Sequence, residues 1–363
     1  MIQGILFDVD GVIFDSEPFI RQAYFNYYDS FYHKTITDAD MAPYVGTGEA
    51  TSIKCLGEEL GLDYDVERDK KGIYEEYARL IKGKLKCMNG TKRFIENARK
   101  AGLKLALATS ADRSKLNSSL NETGLGETAF DFIVSGDMVA RTKPDGSIYR
   151  YAASGLVLEN DHCLVIEDAL SGHMAAKRAG SPSLGVKSSF EEKEQVLSGA
   201  DIVLKDLSEF PDFGSIAEFN EAYGKLLEDF RKRSLIGELV EKASKVIEHA
   251  YAPYSKFKVG AAILTSNGNI YSGCNVENSS FGGTICAERG AAMAAIASEG
   301  RTNFTAVAIT SFADEPAPPC AICRQFLSEF AGPDMQVYLY SLKSGVCRHY
   351  NFGTLMPSVF ELK

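Results

Sequence analysis

The segment Met1-Ile2-Gln3-Gly4-Ile5-Leu6-Phe7-Asp8-Val9-Asp10-Gly11-Val12 sets the fold of the first half of the chain. A short apolar run of this kind, Met1 to Phe7, reads as a buried strand. Open α/β sheets bind ligands beyond the carboxyl ends of their strands, which is where Asp8 and Asp10 stand. Two carboxylates separated by one residue can bind magnesium, and one of them can attack phosphorus. Alone, Asp-x-Asp-Gly is also a common surface turn.

Three later elements follow in order and give the pair its weight. Leu103 to Ala108 is an apolar strand ending in Thr109-Ser110, a hydroxyl and amides suited to phosphate oxygens. Phe132 to Ser135 is a third strand, followed by Lys143-Pro144, whose ammonium can neutralise a nucleophile and a phosphoryl group. Leu164-Val165-Ile166 is a fourth, ending in Glu167-Asp168.

This ordered set resembles the haloacid dehalogenase superfamily of phosphatases, in the subclass with a helical cap after the first motif. The resemblance covers about residues 1–205. It implies a Rossmann-like parallel sheet, with Asp8 as nucleophile and Asp10 as general acid and then base. It implies that Thr109 and Lys143 hold the phosphoryl group, with Ser110 beside them. Magnesium would lie on Asp8, Asp168 and the Asp10 backbone carbonyl, supported by Glu167. After Lys143-Pro144 the family usually has a proline and then an acidic residue. Here Asp145-Gly146-Ser147 stand instead, and Ser147 is expected to cap a helix over Ile148 to Ser154.

The cap is expected over residues 16–89, with helical patterns at Pro18–Tyr32, Ala50–Leu60 and Glu67–Lys86. Its aromatic cluster, Tyr24 to Tyr32, suits helix packing better than base stacking. Sugar-phosphate mutases of this subclass carry a cap arginine for a distal phosphate. Glu49 falls at that position and would repel such a group, which favours a phosphatase.

A second chemistry is written near the C-terminus. Cys286-Ala287-Glu288-Arg289 and Pro319-Cys320-Ala321-Ile322-Cys323 supply three thiols and one carboxylate. A catalytic zinc takes three protein ligands and keeps one position for water. Glu288, two residues after a thiol, suits a proton shuttle. Each cysteine segment opens a helical run, Ala287–Ser298 and Ala321–Phe330, and helix N-termini lower thiol pKa values. Arg289 is placed to offset the charge of three thiolates. The alternative is a closed four-ligand zinc site, with Cys274, Cys347 or His349 as the fourth ligand. That alternative gives Glu288 no role.

Residues 234–363 resemble a small-subunit, homotetrameric-type cytidine deaminase. The shared pieces include Phe257-Lys258-Val259-Gly260-Ala261-Ala262, Gly273-Cys274-Asn275-Val276-Glu277-Asn278, both cysteine segments and Leu355-Met356-Pro357-Ser358. The resemblance implies a three-layer α/β/α domain with Cys286, Cys320 and Cys323 on zinc and Glu288 as shuttle. It implies that Asn275 and Glu277 hold the ribose hydroxyls. Phe257 would pack by the pyrimidine, with Phe281 and Phe360 as weaker candidates. It also implies a homotetramer.

The organisation that follows is a phosphatase core at 1–15 and 90–207, a cap at 16–89, a linker helix within 208–233 and a deaminase domain at 234–363. A chain of 363 residues suits more than one domain. No apolar run approaches the about 20 residues needed to cross a bilayer. Met1 leads directly into a strand, leaving no room for a signal peptide. The eight cysteines do not suggest a disulfide framework, and thiols on zinc suit a reducing, cytoplasmic setting. A formal net charge of −10 disfavours a polyanionic partner. The leading expectation is therefore a bifunctional enzyme acting on small molecules, deaminating cytidine or deoxycytidine and hydrolysing a phosphate ester such as a pyrimidine nucleoside monophosphate. The alternatives are a polynucleotide deaminase with an accessory domain, a deaminase fused to a sugar-phosphate phosphatase or mutase, and a non-catalytic N-terminal module.

Overall fold

The computed structural model describes residues 1–44 and 48–358. The chain forms two compact units, 1–226 and 227–363. In the first, six parallel strands run β1 (Gly4–Phe7), β2 (Lys104–Ala108), β3 (Phe132–Val134), β4 (Cys163–Glu167), β5 (Ser183–Val186) and β6 (Ile202–Leu204), in spatial order β3-β2-β1-β4-β5-β6. All pairings are parallel, with Phe7 opposite Leu107 on one side and Ile166 on the other. The order reverses at β1, so a crevice opens beyond its carboxyl end.

Alternation along β1 serves two apolar layers. Leu6 joins Ala106, Val134, Ile148, Tyr149 and Val165 on one face. Phe7, on the other, meets Phe94 and Phe130 edge-on at 6.0 and 6.1 Å between centroids. Strands buried on both faces read as continuous apolar runs, which is why β1, β2 and β4 were visible as such. β5 and β6 lack that signal. The first holds Ser183 and Gly185, and the second spans three residues.

Cap helices cover Glu17–Tyr32, Glu49–Glu59 and Val66–Ile81. The aromatic cluster packs helix on helix. Tyr24 and Tyr28 are buried, and Tyr27 donates a hydrogen bond of 2.9 Å to the buried Asp69 of the third cap helix. The helix after Lys143 spans Ser147–Gly155, starting one residue earlier than expected for a Ser147 cap. Gly146 occupies the cap position, and the Asp145 carboxylate accepts the Ser147 amide at 2.8 Å. Asp145 thus does what was expected of Ser147, because its carboxylate reaches a free amide of the first turn.

Helix Ile216–Arg233 carries the division between the two units. Its first part docks on the first unit. Phe219 stacks on Phe210 at 5.2 Å, and the Asn220 side chain exchanges hydrogen bonds with the Ile2 backbone at 2.8 and 2.9 Å.

The second unit holds a five-stranded sheet ordered β11-β10-β9-β7-β8, from β7 (Val259–Thr265), β8 (Ile270–Cys274), β9 (Phe304–Ser311), β10 (Gln336–Ser341) and β11 (Cys347–Asn351). β9 and β10 are parallel, and the remaining pairs are antiparallel. Asn267-Gly268 turns β7 into β8, with Gly268 at φ +85°. Helices Leu235–Val246, Ala287–Glu299 and Ala321–Ser328 accompany the sheet. β11 (Cys-Arg-His-Tyr-Asn) is an edge strand without apolar alternation, so its sequence carries little strand signal. No described helix is long and apolar enough to cross a membrane.

Candidate active sites

Four strand ends of the first unit converge on one cleft. Asp8 follows β1, Thr109 follows β2, and Glu167-Asp168 close β4; Lys143 reaches in from the loop after β3. The Lys143 ammonium is buried between Asp8 and Glu167, at 2.6 Å from the latter. Glu167 is saturated. It also accepts the Tyr149 hydroxyl at 2.7 Å and the Asp168 and Ala169 amides at 2.9 Å each. It therefore fixes Lys143.

Ligand oxygens of Asp8, Glu167 and Asp168 lie within 4.8 Å of one another. Burial pushes the Asp8 carboxyl well above its usual range, against the pull of Lys143, and Glu167 and Asp168 add to the rise. Burial, with Glu167 next, pushes Asp168 up to about 7. A crowded, buried carboxylate set of this kind fits a hard divalent cation, whose charge would relieve the repulsion. The Ser110 hydroxyl lines the cleft, buried and without a hydrogen-bond partner, as a phosphate oxygen would require. Thr109 Oγ1 accepts the Ala111 amide at 3.0 Å, which orders this loop.

Gly11 is required by space as well as by conformation. Its φ is +78°, and a Cβ there would lie 2.3 Å from Asp168 Oδ2. Gly11→Ala is expected to destabilise the first unit by about 1–3 kcal/mol and to lower phosphate hydrolysis. Circular dichroism melting and deamination by the same sample would separate this local effect from general misfolding.

Several partners escaped the sequence. Ser16 and Lys115 grip the two oxygens of Asp10, with Lys115 Nζ at 2.8 Å from Oδ2. Burial raises the Asp10 carboxyl, but the Lys115 charge and hydrogen bond outweigh it, so the net shift is downward. Glu49, at the position where the mutases carry a cap arginine, is paired with Lys115 at 3.0 Å. Ser188 and Ser189 both donate to Asp168 Oδ2. None of these side chains sits at a motif spacing that distinguishes it from a surface residue. Val45, Gly46 and Thr47, adjoining Glu49 in the cap loop, lie outside the described residues.

In the second unit, Cys286 is the N-cap of helix Ala287–Glu299 and Cys320 the N-cap of helix Ala321–Ser328. Cys323, in the first turn of the latter, is fully buried. The three sulfurs lie within 4.8 Å of one another, with Cys286 and Cys320 at 3.8 Å. A hydrogen bond with Cys323 brings the Cys286 thiol down to about 5 against burial, and Arg289 assists. Arg289 also donates to Thr284 O at 2.8 Å and approaches Cys286 Sγ at 3.8 Å. Its Nε is buried and unpaired, which suits a site that becomes anionic. Thiols converging from two helix N-termini fit zinc. Among the described residues no fourth His, Cys, Asp or Glu joins the three, as the closed alternative requires. Glu288 is buried at 4% exposure, and burial lifts its carboxyl to about 7.

The expected ribose ligands have structural work of their own. Asn275 accepts the Val259 amide at 2.9 Å and donates to Phe257 O at 2.8 Å. Glu277 accepts the Tyr254 and Ser255 amides at 2.9 and 3.2 Å and the Ser255 hydroxyl. Together they pin the loop that presents Phe257, whose side chain is 42% exposed beside Phe312. The side chain of Phe281, and Phe360, lie outside the described residues.

Comparison with known proteins divides the chain in the same way. Residues 5–186 match the haloacid dehalogenase-like hydrolase family, and residues 234–339 match the cytidine and deoxycytidylate deaminase zinc-binding region. A cytidine deaminase of Sporosarcina psychrophila is 42% identical over 126 residues, 35% of this chain and 91% of that protein. A phosphorylated carbohydrates phosphatase of Thermotoga maritima is 32% identical over 204 residues, 56% of this chain and 94% of that protein. The crystal structure of CbbY from Rhodobacter sphaeroides in complex with phosphate is similar at 26% identity, with a TM-score of 0.54. It covers 61% of this chain and 100% of that one.

Proposed function

Because the chain belongs to the haloacid dehalogenase-like hydrolases through its first unit and to the cytidine deaminases through its second, we propose that it couples two hydrolyses. The first is magnesium-dependent removal of phosphate from a small hydroxyl-bearing ester. The second is zinc-dependent deamination of cytidine or deoxycytidine. The convergence of Asp8, Lys143 and Asp168 in one cleft, with Cys286, Cys320 and Cys323 grouped in the second unit and the buried Glu288 in the first turn of the helix that Cys286 caps, carries the reading.

In the phosphatase cleft, the Asp8 carboxylate attacks phosphorus while Asp10, which takes up a proton against the pull of Lys115 before this step, gives it to the departing ester oxygen, which leaves as an alcohol. Water then attacks the aspartyl-phosphate and returns a proton to Asp10. The Asp8 oxygen–phosphorus bond breaks, releasing phosphate and regenerating both carboxyl groups. Lys143 offsets charge on Asp8 and the phosphoryl oxygens, and Ser110 and Thr109 orient them. Magnesium, held by Asp8, Asp168 and the Asp10 carbonyl, would supply further neutralisation.

At the deaminase site, zinc held by the three thiolates would make water nucleophilic near neutral pH. Glu288 takes a proton from that water and gives one to ring N3 as oxygen adds at C4. It then takes the remaining proton from the new C4 hydroxyl and passes it to the exocyclic amine, so that the C4–N bond breaks, ammonia leaves and the C4 carbonyl of uridine forms. Arg289 offsets the thiolate charge. Asn275 retains one amide hydrogen and Glu277 an open lone pair, available for ribose hydroxyls. Tyr251, Tyr254, Val276, Met293, Phe312 and Ile322 are exposed apolar side chains of this unit, which supports assembly as a homotetramer. The reduced thiols suit the cytoplasm.

The two activities form one route if the first releases the nucleoside that the second consumes. With CMP, magnesium and zinc, cytidine is expected to appear first and uridine after it, followed by chromatography. CMP left intact while added cytidine becomes uridine would refute the route and leave the deaminase standing. Sugar monophosphates are the second substrate class, favoured by the similarity to the phosphorylated carbohydrates phosphatase. Faster release of phosphate from pentose or hexose monophosphates than from CMP would establish it.

A further inference from the structure

We propose that Lys115 is a positioning residue of the phosphatase site, tying Glu49 of the cap to one carboxylate oxygen of Asp10. The inference rests on the phosphatase reading above. Lys115 is only 3% exposed, although it belongs to helix Arg113–Thr123 of the core unit and lies on no recognised motif. Its ammonium reaches Asp10 Oδ2 at 2.8 Å and Glu49 Oε1 at 3.0 Å, and it lies 5.5 Å from the ring centre of Tyr77. Glu49 opens one cap helix and Tyr77 belongs to another, so a single core cation touches two cap elements and one reacting group. A lysine this deeply buried needs paired charge, and both of its partners line the substrate cleft.

The consequence is geometric. Asp10 receives Ser16 at Oδ1 and Lys115 at Oδ2, so two donors fix the plane of its carboxylate. Proton exchange with the leaving oxygen and with water depends on that plane. Through Glu49, the position of the cap enters the same arrangement. Lys115 thus links where the cap sits to how Asp10 is aimed.

The test compares two phosphate esters in the full-length protein. A p-nitrophenolate leaves without being protonated, whereas a glycerol alkoxide does not. Lys115→Met is expected to lower kcat for glycerol phosphate at least about tenfold more than for p-nitrophenyl phosphate, and Lys115→Arg to recover part of that gap. A merely structural role would lower both esters by one factor, and that outcome overturns the proposal. Glu49→Gln keeps the Lys115–Asp10 contact and is expected to raise KM for both esters at least about threefold, with deamination unchanged. If Lys115→Met unfolds, Glu49→Gln decides: an unchanged KM rejects the tie. Wild-type protein that with magnesium releases phosphate from neither ester, nor from CMP, nor from pentose or hexose monophosphates, would refute the phosphatase reading itself, and the role of Lys115 with it.

Discussion

Asp8→Asn is expected to abolish phosphate ester hydrolysis, by at least about 10³-fold in kcat, and to leave cytidine deamination at the wild-type rate. The amide keeps the shape of the side chain but is no nucleophile. The fold is expected to survive the change, because the Asp8 charge is held against opposition. Burial, followed by the charges of Glu167, Asp168 and Asp10, raises its folded pKa despite Lys143. A carboxyl whose folded pKa is raised contributes stability below its unfolded pKa of about 3.9 and loses it as pH rises through the folded value. At neutral pH without magnesium, ionised Asp8 is therefore a cost, and Asp8→Asn should melt no lower than wild type. Magnesium should raise the wild-type melting temperature more than that of the variant, since the variant lacks one anionic ligand. A variant that melts well below wild type without magnesium would show that the Lys143–Asp8 pair stabilises the fold. Deaminase activity lost in parallel would show that the two units fail together.

The side chains that meet in the cleft of the first unit were legible because of where strands end. Asp8, Thr109 and Glu167-Asp168 each trail a short apolar run, and parallel strands buried on both faces bring such ends to one crevice. The grouping of the three thiols was legible for a different reason, since Cys286 and the Cys320–Cys323 pair each mark the start of a helix. What stayed hidden depends on side chains meeting across elements. Lys115 is one lysine in a helix of polar composition, and only the fold places it over Asp10. Tyr149 looks like an ordinary apolar-face residue, yet its hydroxyl helps to saturate Glu167. Asp145 took the capping work because a carboxylate two residues before the amide has the shorter reach. Asn275 and Glu277 show the converse. Their positions are matched by motif, but their bonds to the 251–259 loop appear only in three dimensions.

Glu288→Gln is expected to lower kcat for cytidine by about 10²–10⁴-fold, the range over which general acid–base groups contribute. Zinc content should stay at that of wild type, because Glu288 is not one of the three grouped ligands. Cys320→Ser provides the contrast, since removal of a thiolate ligand should lower both zinc content and activity. Metal analysis by mass spectrometry with an activity assay on each variant therefore separates the shuttle from the ligands. Loss of zinc in Glu288→Gln would place the carboxylate in the coordination sphere and overturn the assignment. Full activity with full zinc would deny it any part in proton transfer. The geometry predicts neither result. Glu288 lies at the first turn of the helix that Cys286 caps, buried and one residue before Arg289. Burial holds its carboxyl near 7, so both protonation states are accessible at working pH. A group that must accept a proton from water and return it to nitrogen needs that balance, and a glutamine, isosteric but unable to exchange the proton, cannot supply it.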